Sequence, residues 1–108
     1  MLYEALFVCN QNKNRSKTAE LLYKKTYDVK SAGLYNEHPI TQKSFAWADT
    51  VIVMEEEQRI ELAKRFPDIY LKKRILSLDI PDIFCFNQPE LINRLKEKMH
   101  KLSIADLS

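Results

Sequence analysis

Four short segments of the chain have the apolar and β-branched composition of buried strands. The clearest is residues 50–54 (TVIVM), which is apolar on both faces. A strand of this kind is typical of a parallel sheet that is covered by helices on each side. The four predicted strands comprise residues 2–8, 27–32, 50–54 and 74–80.

Between and after these strands, apolar residues recur at helical spacing in four segments. These comprise residues 16–26, a short stretch after Thr41, residues 55–66 and residues 90–102. Thr41 is a good N-cap residue, and Pro67 marks the end of the third predicted helix. The spacing predicts that the third helix buries Ile60, Ala63 and Phe66, and that the last helix buries Leu91, Leu95, Met99 and Leu102.

The alternation of strands and helices predicts an α/β fold of three layers. A four-stranded parallel sheet lies in the middle, with right-handed crossovers and helices on both faces. We expect one domain over residues 1–108, with residues 103–108 as a loosely held tail. Ligands of such sheets bind at the carboxyl ends of the strands, where the loops after the first and fourth strands meet.

Composition and charge exclude several classes of function. Hydrophobic residues make up 45% and charged residues 30% of the chain, and the net charge of +2 is too small to predict a stable nucleic-acid complex. No apolar run is long enough to span a bilayer, so no membrane partner is expected. The first residues read as a strand and not as a signal peptide, which favours a cytoplasmic protein.

The chain has two cysteines, Cys9 and Cys85, without the spacing of zinc ligands. We therefore predict no metal and no cofactor. Cys85 lies between Phe84 and Phe86, and we interpret it as a small buried hydrophobic residue. Cys9 differs because an arginine and a serine follow it at fixed spacing.

Residues 9–16 (CNQNKNRS) have the position and composition of a loop that binds one phosphate group. Cys9 follows the first strand, and Arg15 and Ser16 open the first helix. The unpaired amides and the positive dipole end of that helix face the same point as the thiol. Such surroundings stabilise both a thiolate and a phosphate dianion.

With these elements in place, the chain resembles the low-molecular-weight protein tyrosine phosphatases, a family with a flavodoxin-like α/β fold. The family loop, Cys-x-Gly-Asn-x-Cys-Arg-Ser, is matched by Cys9, Asn12, Arg15 and Ser16. Three further landmarks follow in the family's order at residues 31–33 (SAG), 48–55 (ADTVIVME) and 79–82 (DIPD). The resemblance extends over residues 6–102.

The resemblance implies a phosphomonoesterase that works through a cysteinyl-phosphate intermediate. Cys9 is then the nucleophile, Arg15 donates hydrogen bonds to two phosphate oxygens, and Asp82 is the general acid. Asp79 competes for the role of acid, although a carboxylate at the end of a strand often only bonds nearby amides. The expected partner is a phosphorylated substrate, first of all a phosphotyrosine protein.

The predicted substrate contacts are more polar than those of the family. Gln11 replaces the family glycine, Asn14 replaces its second cysteine, and Asn10 and Lys13 stand where apolar residues usually flank the phosphotyrosine ring. Of the aromatic pair that lines the family's tyrosine slot, only Phe84 remains. The predicted substrate-binding residues are Asn10, Gln11, Asn12, Lys13, Asn14, Ser16 and Phe84, with Ser16 donating to the Cys9 sulfur and Asn12 holding a left-handed turn.

These departures leave alternatives open. The polar loop favours a nucleotide or an RNA phosphate end as the alternative substrate. The altered surroundings of Asp82 suit a module that binds phosphate with little turnover. An arsenate reductase is a third alternative, which would need Cys85 or an external thiol in its relay.

Overall fold

The computed structural model describes the backbone of residues 3–107 and the side chains of residues 3–102. Strands and helices alternate through most of the chain, as the apolar pattern predicts. In order, the elements are β1 (Glu4–Cys9), α1 (Arg15–Tyr23), β2 (Asp28–Gly33), α2 (Gln42–Trp47), β3 (Thr50–Val53), α3 (Glu56–Arg65), α4 (Pro67–Tyr70), β4 (Arg74–Ser77) and α5 (Pro89–Leu107).

The four strands form one parallel sheet in the order β2-β1-β3-β4. This confirms the predicted α/β class and the flavodoxin-like arrangement. Cys9 pairs with Gly33 at the end of β1, and Val8 pairs with Val53 on the other side. Since all strands run the same way, the residues that follow Cys9, Val53 and Ser77 meet at one edge of the sheet.

Strand β1 separates the two halves of the core. Its side chains alternate between the faces of the sheet, as the pleat requires. Phe7 and Cys9 belong to the cluster covered by α1 and α5, whereas Leu6 and Val8 belong to the cluster covered by α2, α3 and α4. Both faces of the strand are therefore buried, which explains its unbroken apolar sequence.

Helix α5 is longer than the sequence predicts. Its buried stripe contains Leu91, Leu95 and Met99 as expected, and Leu102 is partly buried against the same cluster. The backbone remains helical to Leu107, beyond the predicted end at Leu102, while Ser108 lies outside the described residues. The loosely held tail over residues 103–108 stays a prediction. None of the helices in residues 3–107 is both long and apolar enough to cross a membrane.

The predicted buried face of α3 is wrong, whereas its predicted end before Pro67 is confirmed. Ile60 is 51% exposed, and the helix buries Gln58 and Leu62 instead, with Ala63 and Phe66 only partly buried. The buried face of α3 differs from the predicted face because a polar residue, Gln58, occupies one of the inward positions. Pro67 ends α3 but also opens the short helix α4, where a proline is tolerated in the first turn.

Cys85 is also placed differently from its prediction. The residue is exposed and its thiol is free, whereas the neighbouring Phe84 is buried at 6% exposure. The chain between β4 and α5 has no regular alternation, so a pair of flanking aromatic residues does not predict which side chain turns inward.

Candidate active site

The loop of residues 10–14 connects β1 to α1 at the carboxyl edge of the sheet. Asn12 has a φ angle of 53°, the left-handed conformation that asparagine tolerates better than most residues. This turn reverses the chain so that α1 begins at Arg15. The loop is also fixed from the side, because the Tyr35 amide donates to the Asn10 carbonyl at 2.9 Å.

Three side chains form a hydrogen-bonded chain beneath the loop. The Ser16 hydroxyl lies 2.8 Å from the Cys9 sulfur and 2.6 Å from the Asn12 side-chain oxygen. The hydroxyl has one proton and two possible acceptors. A Cys9 thiol can donate a hydrogen bond to the Ser16 hydroxyl while that hydroxyl donates to the Asn12 side-chain oxygen. A Cys9 thiolate instead accepts a hydrogen bond from the Ser16 hydroxyl. The predicted contact of Ser16 with the Cys9 sulfur and the predicted left-handed conformation of Asn12 are thus both present. The side chains of Ser16 and Asn12 bond to other residues of the segment 9–16.

Arg15 is held from one side of its guanidinium group. The side chain is 1% exposed, and its Nη1 donates to a carboxylate oxygen of Glu55 at 2.5 Å and to the Ile80 carbonyl at 2.7 Å. Its Nε has no hydrogen-bond partner within residues 3–102 and lies 3.7 Å from the Asp82 carboxylate. An unpaired buried N–H is costly, and a bound anion would satisfy it.

A small cavity of about 120 Å³ opens beside these groups. The Cys9 sulfur and the Arg15 guanidinium are buried beside it, whereas the Asp82 side chain is 56% exposed. Polar side chains make up the remaining wall. The lining residues are Cys9, Gln11, Lys13, Asn14, Arg15 and Asp82.

Six of the predicted site residues therefore line the cavity, and Asn12 and Ser16 lie directly beside Cys9, whereas Asn10 and Phe84 lie elsewhere. Asn10 turns away from the cavity and accepts a hydrogen bond from Gln58 at 3.2 Å. Phe84 packs in the core against Leu91 and its neighbours, so the prediction that its ring lines the substrate wall is wrong for this structure. Asp79 is exposed in a left-handed turn with a φ angle of 56° and does not line the cavity.

Two residues of the site were missed by sequence reasoning. Glu55 precedes two acids of the first turn of α3, and it is the carboxylate that binds Arg15. Gln58 is 2% exposed, and its side-chain oxygen accepts from the amides of Met54 at 2.7 Å and Glu55 at 3.0 Å. The available signal was the position of Glu55 directly after β3, which neighbours β1 in a sheet of this type.

No protein-family model and no curated protein sequence matches the chain. Solved structures, by contrast, match it over nearly its whole length. The tyrosine phosphatase Wzb from Escherichia coli K30, in complex with phosphate, has a TM-score of 0.76 and 17% sequence identity, covering 97% of this chain and 99% of that one.

Two further structures agree. The YwlE arginine phosphatase from Geobacillus stearothermophilus has a TM-score of 0.65 and 23% identity over 95% of this chain and 96% of that one. The low-molecular-weight protein tyrosine phosphatase from T. tengcongensis has a TM-score of 0.67 and 18% identity over 89% and 92%. The chain has the low-molecular-weight phosphatase fold. The resemblance seen in the sequence is thus confirmed at the level of the fold.

Gly33, the single glycine of the chain, lies where a side chain has too little space. Gly33 ends β2 beside the loop, and a Cβ atom there would lie 2.5 Å from the Asn36 side-chain oxygen and 3.0 Å from the Asn10 carbonyl. Both distances are shorter than van der Waals contact. A larger residue would displace the Asn36 side chain and press against the Asn10 carbonyl at the start of the loop that follows Cys9.

Proposed function

We propose that the chain is a phosphomonoesterase that hydrolyses a phosphate ester through a phosphorylated Cys9. The observation that carries this proposal is the Nε of the buried Arg15, which has no hydrogen-bond partner within residues 3–102 and faces the Asp82 carboxylate at 3.7 Å in the cavity that Cys9 also lines. The cavity thus combines a nucleophile, an anion-binding group and a carboxylic acid. The phosphatases that share the fold support the same chemistry.

The reaction proceeds in two displacements at phosphorus. The Cys9 thiolate attacks, the P–S bond forms as the bond to the ester oxygen breaks, and Asp82 gives its proton to the leaving oxygen. Water then attacks phosphorus and passes a proton to the Asp82 carboxylate. The P–S bond breaks, which releases inorganic phosphate and restores the thiolate.

The remaining groups stabilise the charge that moves during each displacement. Arg15 offers the free edge of its guanidinium group to the equatorial oxygens, while Glu55 and the Ile80 carbonyl fix the opposite edge. The unpaired backbone amides at the start of α1 are further donors that we assign to these oxygens. Because these donors are fixed before the substrate binds, little reorganisation accompanies the reaction.

The Asp82→Asn variant tests the assignment of the general acid. We expect kcat/KM, which reports only the first displacement, to fall about 100-fold or more with an alkyl phosphate and clearly less with 4-nitrophenyl phosphate, because a good leaving group needs little protonation. Steady-state rates are measured in the presence of a metal chelator. The matched control is Asp79→Asn, since asparagine keeps the left-handed turn at that position.

These rates, together with a binding measurement, distinguish three hypotheses: Asp82 as the general acid, Asp79 as the general acid, and a phosphate-binding module without turnover. Equal losses on both substrates, or a loss in Asp79→Asn and none in Asp82→Asn, would refute Asp82 as the acid. Tight binding of phosphate esters by the wild-type protein without release of phosphate would instead identify a phosphate-binding module.

The polar wall of the cavity favours a second candidate for the substrate. A phosphotyrosine ring would meet Gln11, Lys13 and Asn14 where an apolar contact is needed, since Phe84 is buried in the core. A nucleotide or an RNA phosphate end offers hydrogen-bonding groups that these side chains can satisfy.

Both free thiols, Cys9 and Cys85, agree with a place of action in the cytoplasm.

A further inference from the structure

Lys13 differs from the other cations around the cavity because its charge is not paired. Arg15 is bound to Glu55, and Lys17 lies 3.4 Å from Glu20. Lys13 lines the cavity, is exposed, and makes no ion pair or hydrogen bond within residues 3–102. It therefore contributes a free positive charge to the wall.

The exposure of the lining residues gives the cavity a floor and a mouth. Cys9 and Arg15 are 3% and 1% exposed and form the floor, where the phosphoryl group binds under the proposed function. Asp82 and Lys13 are exposed and flank the mouth. Since Asp82 must reach the leaving oxygen, the leaving group occupies the mouth, within the field of the Lys13 ammonium group.

We propose that Lys13 selects phosphate esters whose leaving group carries a second negative charge. This inference rests on the proposed function and names its substrate class. Gln11 and Asn14 add amide donors to the same wall, and no apolar side chain lines it within the described residues. Asp82 opposes the selection only when it is ionised, and the general acid enters the first displacement protonated.

The test compares two isosteric substrates, 4-carboxyphenyl phosphate and 4-carbamoylphenyl phosphate, which differ by one negative charge. We measure the ratio of their kcat/KM values in the wild type and in Lys13→Gln at low ionic strength. We expect this ratio to fall about 3- to 5-fold in Lys13→Gln, the size typical of an exposed charge pair. The intrinsic difference between the leaving groups cancels, because each protein is compared with itself.

The matched control is Lys24→Gln, which removes an exposed lysine at the end of α1, away from the cavity. Its ratio should equal that of the wild type, and added salt should shrink the difference between wild type and Lys13→Gln. An unchanged ratio in Lys13→Gln, or an equal fall in Lys24→Gln, would overturn the inference while leaving the proposed function intact.

A binding measurement keeps the two proposals separable. Methylenebisphosphonate and methylphosphonate are titrated calorimetrically into the wild type and Lys13→Gln. We expect Lys13→Gln to weaken the bisphosphonate selectively by about 3- to 5-fold. If the protein hydrolyses none of the esters but Lys13→Gln weakens bisphosphonate binding selectively, the proposed phosphatase activity is refuted and the role of Lys13 in binding the second charge stands. Equal weakening of both ligands would refute the role of Lys13.

Discussion

Replacing Cys9 with serine is expected to lower kcat by at least about 10⁴-fold on every phosphate ester that the wild-type protein hydrolyses. A serine hydroxyl is not ionised at neutral pH, so the attack on phosphorus loses its nucleophile. The change is small in volume, and the contact with Ser16 can form through the new hydroxyl. We therefore expect thermal unfolding to remain close to that of the wild type.

Cys85→Ser is the matched control for this experiment. Cys85 is the other free cysteine of the described chain, and it is exposed and lines no part of the cavity. Its replacement should leave kcat within about twofold of the wild type, as expected of a surface position. More than a few per cent of wild-type turnover in Cys9→Ser, or a comparable loss in Cys85→Ser, would contradict the assignment of the nucleophile.

Replacing Arg15 with lysine should lower kcat/KM by about 10² to 10³-fold, although the positive charge is kept. Arg15 donates to Glu55 and to the Ile80 carbonyl through Nη1, and its Nε, which has no hydrogen-bond partner within residues 3–102, is the donor that the proposed function assigns to phosphate. An ammonium group is a compact point charge and cannot present two parallel N–H bonds to an anion. Both steady-state kinetics and the binding of vanadate should show the loss.

Arg65→Lys provides a control with similar structural contacts. Arg65 also pairs with a carboxylate, Glu61, at 2.7 Å and donates to the Leu34 carbonyl at 2.7 Å, but it does not line the cavity. Its replacement is expected to lower the midpoint of thermal unfolding and to change kcat/KM little. An equal kinetic loss in the two variants would mean that Arg15 acts through the fold and not on the phosphoryl group.

The parts of the site that follow from local sequence could be predicted. The strand, loop and helix around Cys9 are adjacent in the chain, so their geometry depends on apolar spacing and turn chemistry. The left-handed conformation predicted for Asn12 is present, with a φ angle of 53°. The parallel sheet with helices on both faces followed from the alternation of strands and helices.

The parts that depend on distant contacts could not be predicted. The partnership between Arg15 and Glu55 joins residues forty positions apart, and nothing in the local charge pattern distinguishes Glu55 from the two acids that follow it. The same holds for Gln58, a polar residue buried because two backbone amides need its side-chain oxygen. Phe84 was misplaced because its loop has no periodicity to orient it.

The central claim is that the phosphoryl group is transferred to Cys9. The direct measurement is rapid quenching during turnover of 4-nitrophenyl phosphate, followed by mass spectrometry of the peptide that contains residues 9–16. We predict one phosphoryl group on Cys9 in the wild type and a larger labelled fraction in Asp82→Asn, because hydrolysis of the intermediate is slowed. Turnover without a label on Cys9, or with the label on another residue, would contradict the account.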